Sequence, residues 1–421
     1  MKPFIILLIL TFRILQNLCS QSILLLPDRV FDGETMHENW GVLVNGDRIS
    51  AVGPQSTLAV PKGAESFRMK GATLLPGLIE GHSHLLLHPY NETVWNDQVL
   101  HESMAERAIR ATVHARETLT AGFTTVRDLG SEGAGYADVG LKTAIEKGVI
   151  PGPRMLVAGP AIVATGSYGP KGFADHVEVP QGAEEADGHD NLIQTVRRQI
   201  GKGADVIKVY ADYRWGLKNQ AMPTFTEDEL RLVVETAQSS GRPVVAHATT
   251  AEGMRRAIMA GVQTIEHGDG GTAAVFQLMK EKGVALCPTL AAGDAVSQYR
   301  GWRKGIDPEP ERILQKRISF KLALDAGVTI CAGGDSGVFP HGDNTRELEM
   351  MVEYGMKPVD VLRSATAINA RIFGLDKEVG LIRPGLLADL LVVNGNPEKQ
   401  IVDLRNIVMI MQGGKWITKP N

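Results

Sequence analysis

Cysteine is scarce in this chain, and neither sign of charge prevails. Of three cysteines in 421 residues, Cys19 lies in an apolar N-terminal segment, leaving only Cys287 and Cys331. Two are too few for a disulfide framework, so the fold must rest on a buried core. The formal net charge is -4, with both signs interspersed. That supplies no basic field to hold nucleic acid phosphates, and small molecules are the expected partners. A membrane span needs roughly 20 apolar residues, whereas the run at residues 4–12 is ended by Arg13. Low-complexity stretches and linkers are absent, and composition leaves a homo-oligomer open. No Gly-x-Gly-x-x-Gly follows a first strand, which removes the usual argument for an open dinucleotide-binding sheet.

Residues 1–20 read as an export signal. Lys2 supplies the positive start, residues 4–12 the apolar centre, and Leu18-Cys19-Ser20 resembles a cleavage site. The mature chain is then expected in the periplasm or outside the cell, without an integral membrane span. An uncleaved amphipathic start is the alternative. A lipidated Cys19 is disfavoured because Asn17-Leu18 lacks the small residues that modification prefers.

Both ends of the remaining chain carry β patterns. Ile23-Leu24-Leu25-Leu26, Trp40-Gly41-Val42-Leu43-Val44 and Arg48-Ile49-Ser50-Ala51-Val52-Gly53 are separated by Asp32-Gly33 and Asn45-Gly46-Asp47, which mark turns. Ala388-Asp389-Leu390-Leu391-Val392-Val393 and Val408-Met409-Ile410-Met411, followed by Gly413-Gly414, repeat the pattern at the other end. Residues 21–72 and 376–421 are therefore expected to form one composite β-sandwich, with residues 73–375 inserted into it.

The insert reads as eight strand-and-helix units. The candidate strands are Thr73-Leu74-Leu75 running through to Leu78-Ile79, then Thr124-Thr125-Val126-Arg127, Arg154-Met155-Leu156-Val157-Ala158, Asp205-Val206-Ile207-Lys208-Val209, Pro243-Val244-Val245-Ala246-His247, Gln263-Thr264-Ile265-Glu266-His267, Val284-Ala285-Leu286-Cys287 and Val328-Thr329-Ile330-Cys331-Ala332. Helical patterns at 102–119, 186–200, 227–240, 251–260, 273–282 and 308–326 alternate with them. Buried-type strands alternating with helices indicate a parallel sheet, and eight of them indicate closure into a (β/α)8 TIM barrel. Residues 166–188 form a long Gly- and acid-rich loop after the third strand, long enough to act as a lid.

Six polar residues stand at the C-terminal ends of these apolar runs: His82, His84, Lys208, His247, His267 and Asp335. That end is where loops and strand termini of a parallel barrel converge on one site. His82 and His84 alternate on a strand, so both rings face one side and can chelate one ion. His88 already lies in the loop, where it is expected behind the ligands or against substrate. His247 and His267 each end a strand. Lys208 is unusual, because an ammonium has no lone pair for a metal and is costly to bury in an apolar strand. Carboxylation by carbon dioxide would make it a carbamate able to bridge two cations. The alternative is a core lysine paired with Asp212. Tyr210 shares the face of Lys208, within reach of substrate. Asp335 follows Ala332-Gly333-Gly334, where glycines permit close backbone approach. A carboxylate there can ligate a metal and move a proton to a leaving amine.

The ordered set His-x-His, Lys, His, His, Asp resembles the amidohydrolase superfamily, in its binuclear-metal branch with a carboxylated lysine. Gly46-Asp47-Arg48-Ile49-Ser50-Ala51-Val52-Gly53 and Gly385-Leu386-Leu387-Ala388-Asp389-Leu390 are similar to that superfamily's composite β-sandwich. Leu78-Ile79-Glu80-Gly81-His82, Val206-Ile207-Lys208-Val209 and Ile265-Glu266-His267-Gly268 look most like its imidazolonepropionase-related group, which includes prolidase-like Xaa-Pro dipeptidases, carboxypeptidases of N-acyl amino acids and ochratoxin-type amidases. The resemblance implies two divalent metal ions, one on His82, His84 and Asp335, the other on His247 and His267, with carboxylated Lys208 between them. Zinc is the default for such a His-rich set, and manganese and iron are compatible with it. It further implies attack on a small amide by a bridging hydroxide, with Asp335 carrying the proton.

Two departures from the group concern substrate. Gly166-Ser167-Tyr168-Gly169 replaces a Gly-His-Gly element whose histidine polarises the scissile carbonyl, so Tyr168 is either a substitute phenolic donor or a packed side chain. Asp212-Tyr213-Arg214-Trp215 replaces a glycine-rich turn, placing Tyr213 and Arg214 where they could clamp a substrate carboxylate. A dipeptide or N-acyl amino acid is the expected substrate. A cyclic amide or lactone, or a barrel kept only for binding, are the alternatives. The complete set of six residues speaks against the last.

Overall fold

One strand, Glu65–Pro76, joins the two ends of the chain. It pairs in parallel with Ile23–Phe31 and antiparallel with Leu390–Asn394. The computed structural model describes residues 22–420, so the segment read as an export signal lies outside the described residues. The terminal sheet has eight strands, running in the order Lys415–Thr418, Ile407–Gln412, Leu390–Asn394, Glu65–Pro76, Ile23–Phe31, Trp40–Asn45 and Arg48–Pro54, with Met36–Glu38 beside Ile23–Phe31. The Asn-Gly and Gly-Gly turns close hairpins as expected. Leu25, Val42 and Val44 from one end share an apolar core with Leu390, Val392, Met409 and Met411 from the other. Each such buried side chain contributes roughly 1.5–3 kcal/mol, which holds the two ends together as one body.

The junction between the units lies slightly later than residue 73. Leu74 and Leu75 pair with Val392 and Leu391 in the terminal sheet, and the barrel begins with the strand Leu78–Ser83. An apolar run has the same appearance in either sheet, and only its partners distinguish them.

The insert forms the expected α/β architecture, a (β/α)8 barrel. Leu78–Ser83, Phe123–Asp128 and Arg154–Val157 pair in parallel. Ile162–Val163, Ile207–Tyr210, Val244–Ala248, Thr264–His267 and Ala285–Cys287 form a second parallel run. The runs join where the Asp205 and Val206 amides donate to the Val157 carbonyl. The last strand survives only as parallel bridges, Leu286 to Ile330 and Ser83 to Ser336, which close the ring. Gly333 makes that closure possible, because a Cβ there would stand 2.6 Å from both Cys287 Sγ and the His82 amide nitrogen. Cys287 and Cys331 are buried and unpaired.

The helices Ala251–Ala260 and Ala273–Lys282 cover the expected residues. Leu290–Tyr299 was not legible as a helix because it is buried nearly all round and so lacks a polar face to set a period. The loop at 166–188 is irregular apart from Glu184–Glu185, which pairs with Ile162–Val163, and it carries Tyr168. No helix among the described residues is long and apolar enough to cross a membrane.

Candidate metal centre

Strand alternation places the first side chains. On Ile207–Tyr210, Ile207 and Val209 join the core shared with the surrounding helices, leaving Lys208 and Tyr210 on the opposite, inner face. His247 sits likewise beside Ala246 on Val244–Ala248. Thr264–His267 follows the same rule through buried Glu266, and then departs from it. Strict alternation would send His267 outward, but its φ of 75° turns the backbone at the strand end. Asp335 (φ 65°), Thr289 (φ 50°) and Glu132 (φ 47°) share this left-handed conformation, and all line the same cavity. Non-glycine residues adopt it at a cost, and such residues cluster at functional sites.

His82, His84 and His267 are held by their Nδ1 atoms. His82 Nδ1 lies 2.8 Å from Glu266 Oε2 and His84 Nδ1 lies 2.9 Å from the Gly130 carbonyl oxygen. Both partners only accept, so each Nδ1 carries a proton and each Nε2 is the nitrogen left for a cation. Those Nε2 atoms stand 3.7 Å and 3.3 Å from Asp335 Oδ1, the spacing of groups that could share one cation. Glu266 in turn accepts from Arg127 Nη2 at 2.9 Å and from Thr264. His267 Nδ1 meets Thr289 Oγ1 at 2.7 Å. His267 packs against His247 with ring centres 4.4 Å apart and against His82 at 5.2 Å. His247 stacks on Tyr210 at 4.4 Å.

Charge states suit metal binding. Burial, reinforced by the Lys208 charge, lowers His82 to about 4 and His247 to about 3, so both are neutral near pH 7. Burial also holds His267 well below its ordinary value, with His247 and His82 adding to it. Burial would raise Asp335, but His82, His84 and Lys208 outweigh it and bring the carboxyl to about 2. His84 goes the other way: burial disfavours its charge, yet the hydrogen bond and charge of Asp335 raise it to about 9.

Lys208 lies below these groups, 1% exposed. Among the described residues its ammonium has no hydrogen bond or ion pair, only the Tyr210 ring at 5.7 Å. Burial pushes its pKa down, opposed by Glu266 and Asp335. The pairing with Asp212 does not form. Asp212 instead accepts from the amides and hydroxyls of Thr249 and Thr250, which fastens the loop after His247. A buried amine without a partner among metal-ligating side chains is compatible with carboxylation, and His82, His84 and Asp335 stand close enough to share one cation.

The cavity above the histidines measures about 490 Å³ and is bordered by Tyr168, Tyr210, Tyr213 and Arg214. A second hollow of about 460 Å³ adjoins it across Tyr168 and Tyr213 and is walled by Trp95. The Tyr168 hydroxyl donates to Glu132 Oε2 at 2.7 Å. Burial and the Glu132 charge raise that phenol well above its ordinary pKa, so it remains a proton donor. Arg214 is exposed at the mouth and donates to the Tyr213 hydroxyl at 2.8 Å.

His88 does not line this cavity. Its ring meets Glu102 at 2.7 Å and Glu92 at 3.2 Å, which braces the loop. Conversely, sequence reasoning passed over Glu132, Thr289, Asp269, Arg300 and Arg312, which do line it. Glu132 lies in the loop past the second strand, Phe123–Asp128, beyond the strand end that marked the histidines.

Comparison with known proteins agrees with this fold. Ochratoxinase of Aspergillus niger is 29% identical over 92% of this chain and 85% of its own. A Xaa-Pro dipeptidase solved with bound methionine superposes with a TM-score of 0.83 at 31% identity, covering 94% of this chain and 99% of that one. A prolidase complexed with N-methylphosphonate-L-proline gives 0.80 at 28% identity, over 95% and 100%. Residues 73–417 match the amidohydrolase family, and the chain belongs to it.

Proposed function

We propose that this amidohydrolase is a binuclear metal enzyme that cleaves the amide bond of a small substrate bearing a free carboxylate. The observation that carries the reading is the convergence of His82, His84, His247, His267 and Asp335 around a buried Lys208 that has no partner of its own among the described residues. His82, His84 and Asp335 would hold one divalent ion, His247 and His267 the second, and carboxylated Lys208 both. Zinc suits the donors best. Two such ions, when bound, supply an acidified water and a Lewis acid for the scissile carbonyl.

The protein's own groups do the remaining work. Asp335, ionised and beside the ligands, takes the proton of the attacking water at its carboxylate and returns it to the leaving amine. Tyr168 keeps its phenolic proton but commits it to Glu132, so donating to a carbonyl oxygen requires exchanging that acceptor. Arg214 stands at the mouth where a substrate carboxylate would enter, with Tyr213 beside it. Relatives named as a Xaa-Pro dipeptidase and as ochratoxinase support amide hydrolysis. Export belongs to this proposal and rests on residues 1–20; N-terminal sequencing of secreted protein tests it. Function is tested by assaying metal-loaded protein against dipeptides, N-acyl amino acids and cyclic amides. Turnover of at least one of the first two classes with no action on cyclic amides is expected. Cleavage confined to cyclic amides or lactones would overturn the reading.

A further inference from the structure

Glu132 is an unpaired anion in the wall of the site. It is 3% exposed, and no cation lies within ion-pair distance of its carboxylate among the described residues. The nearest candidate, Arg107, is committed to backbone carbonyls: Nε to Leu86, Nη2 to Ser131 and Nη1 to Glu132 itself. That arginine holds the loop, and with it the strained Glu132 backbone, in place.

The two carboxylate oxygens are used unequally. Oε2 accepts from Tyr168 at 2.7 Å and Trp95 at 2.9 Å, whereas Oε1 has only a long contact of 3.4 Å from Tyr210. A carboxylate offers about four acceptor positions, so Oε1 retains capacity for strong donors. It also stands close to the ligands. A Cβ placed on Gly130 would be 3.2 Å from Glu132 Oε1 and 3.4 Å from His84 Cε1, so little more than one methyl group separates them. Its hydrogen-bond donors are all neutral, and the charges of Arg107 and His84 act on it only from beyond ion-pair distance, so the carboxylate is left without a direct positive partner.

We propose that Glu132 Oε1 receives the free α-ammonium of the substrate, which makes the substrate a dipeptide and not an N-acyl amino acid. This rests on the functional reading above. In a dipeptide the ammonium is borne by the carbon next to the scissile carbonyl, so its acceptor must stand beside the metal ligands and not at the rim. An N-acyl group has no donor there and would set a neutral chain against the carboxylate. The carboxylate end then faces Arg214, and a cavity of about 490 Å³ suits a molecule of that size.

The test uses metal-loaded full-length mature protein, a set of dipeptides and their N-acetyl derivatives. Wild type should favour the free amines in kcat/KM. Glu132→Gln keeps an acceptor for Tyr168 and Trp95 but removes the charge. It should raise KM for free amines by roughly 10- to 100-fold, the scale of one charge-assisted hydrogen bond, and raise KM for N-acetyl substrates by a clearly smaller factor. Calorimetric binding of dipeptides should weaken in parallel. Equal losses on both series, or a wild-type preference for N-acetyl substrates, would overturn the proposal and reduce Glu132 to an anchor for Tyr168, while amide hydrolysis stood. If neither series is cleaved, the functional reading fails. Calorimetry then still judges Glu132, and unselective binding counts against it.

Discussion

His82 Nδ1 and Glu266 Oε2 meet at 2.8 Å with both side chains buried, and Glu266 bonds Arg127 at the same time. One carboxylate thus sets the tautomer of a ligand on the first strand from a position on the sixth. Burial would neutralise it, but Arg127, His82 and Lys208 keep its pKa well below the usual carboxylate range. Glu266→Gln should cost about 10- to 100-fold in metal affinity. It should also destabilise the fold by about 3–5 kcal/mol, because Arg127 loses its charged partner. Metal titration and denaturant unfolding check the two effects. Unchanged values in both would remove Glu266 from this role.

Metal binding should release a proton. His84, raised to about 9 by Asp335, is protonated in the metal-free protein at neutral pH, and a cation needs its Nε2 lone pair. Since the metal competes with that proton, apparent affinity should rise about tenfold per pH unit up to about pH 9 and level off above it, as far as this group is concerned. Calorimetry in buffers of different ionisation enthalpy counts the proton directly. A release of zero near pH 7 would contradict the assignment.

Asp335→Asn separates ligation from proton transfer. It retains one oxygen ligand and loses the basic site, so metal content should survive better than turnover, which should fall by roughly 10²-fold or more. Normal turnover would place the proton shuttle elsewhere.

Arg214→Ala should chiefly raise KM for substrates with a free carboxylate and leave carboxylate-free amides alone. Arg300 and Arg312 share the cavity border and moderate the loss if they assist. Equal losses on both substrate classes would make Arg214 structural.

Much of this was legible in the sequence because barrel strands deliver polar residues at their ends. His82, His84, Lys208, His247, His267 and Asp335 each follow a short apolar run, and the fold gathers five of them at one mouth with Lys208 buried beneath. What was not legible depends on partners or backbone. Thr73-Leu74-Leu75 fits either sheet until its register with Leu390–Asn394 is known. His267 breaks the alternation rule through a φ of 75°, which no pattern of residue types announces. Glu132 lies in a loop whose path is set by Arg107, a residue on the helix before the second strand, so its arrival beside His84 is a tertiary event. His88 has the same residue type and neighbourhood as the ligands, yet Glu92 and Glu102 claim it first.

Metal content measured alongside activity tests the central claim most directly. Purified mature protein should hold about two divalent ions per chain, lose activity when they are chelated and regain it on their return. Lys208→Ala should hold fewer ions and be nearly inactive, with partial rescue by added short-chain carboxylic acids that replace the bridging carbamate. Fully active protein with only trace metal, or wild-type activity in Lys208→Ala, would contradict the account.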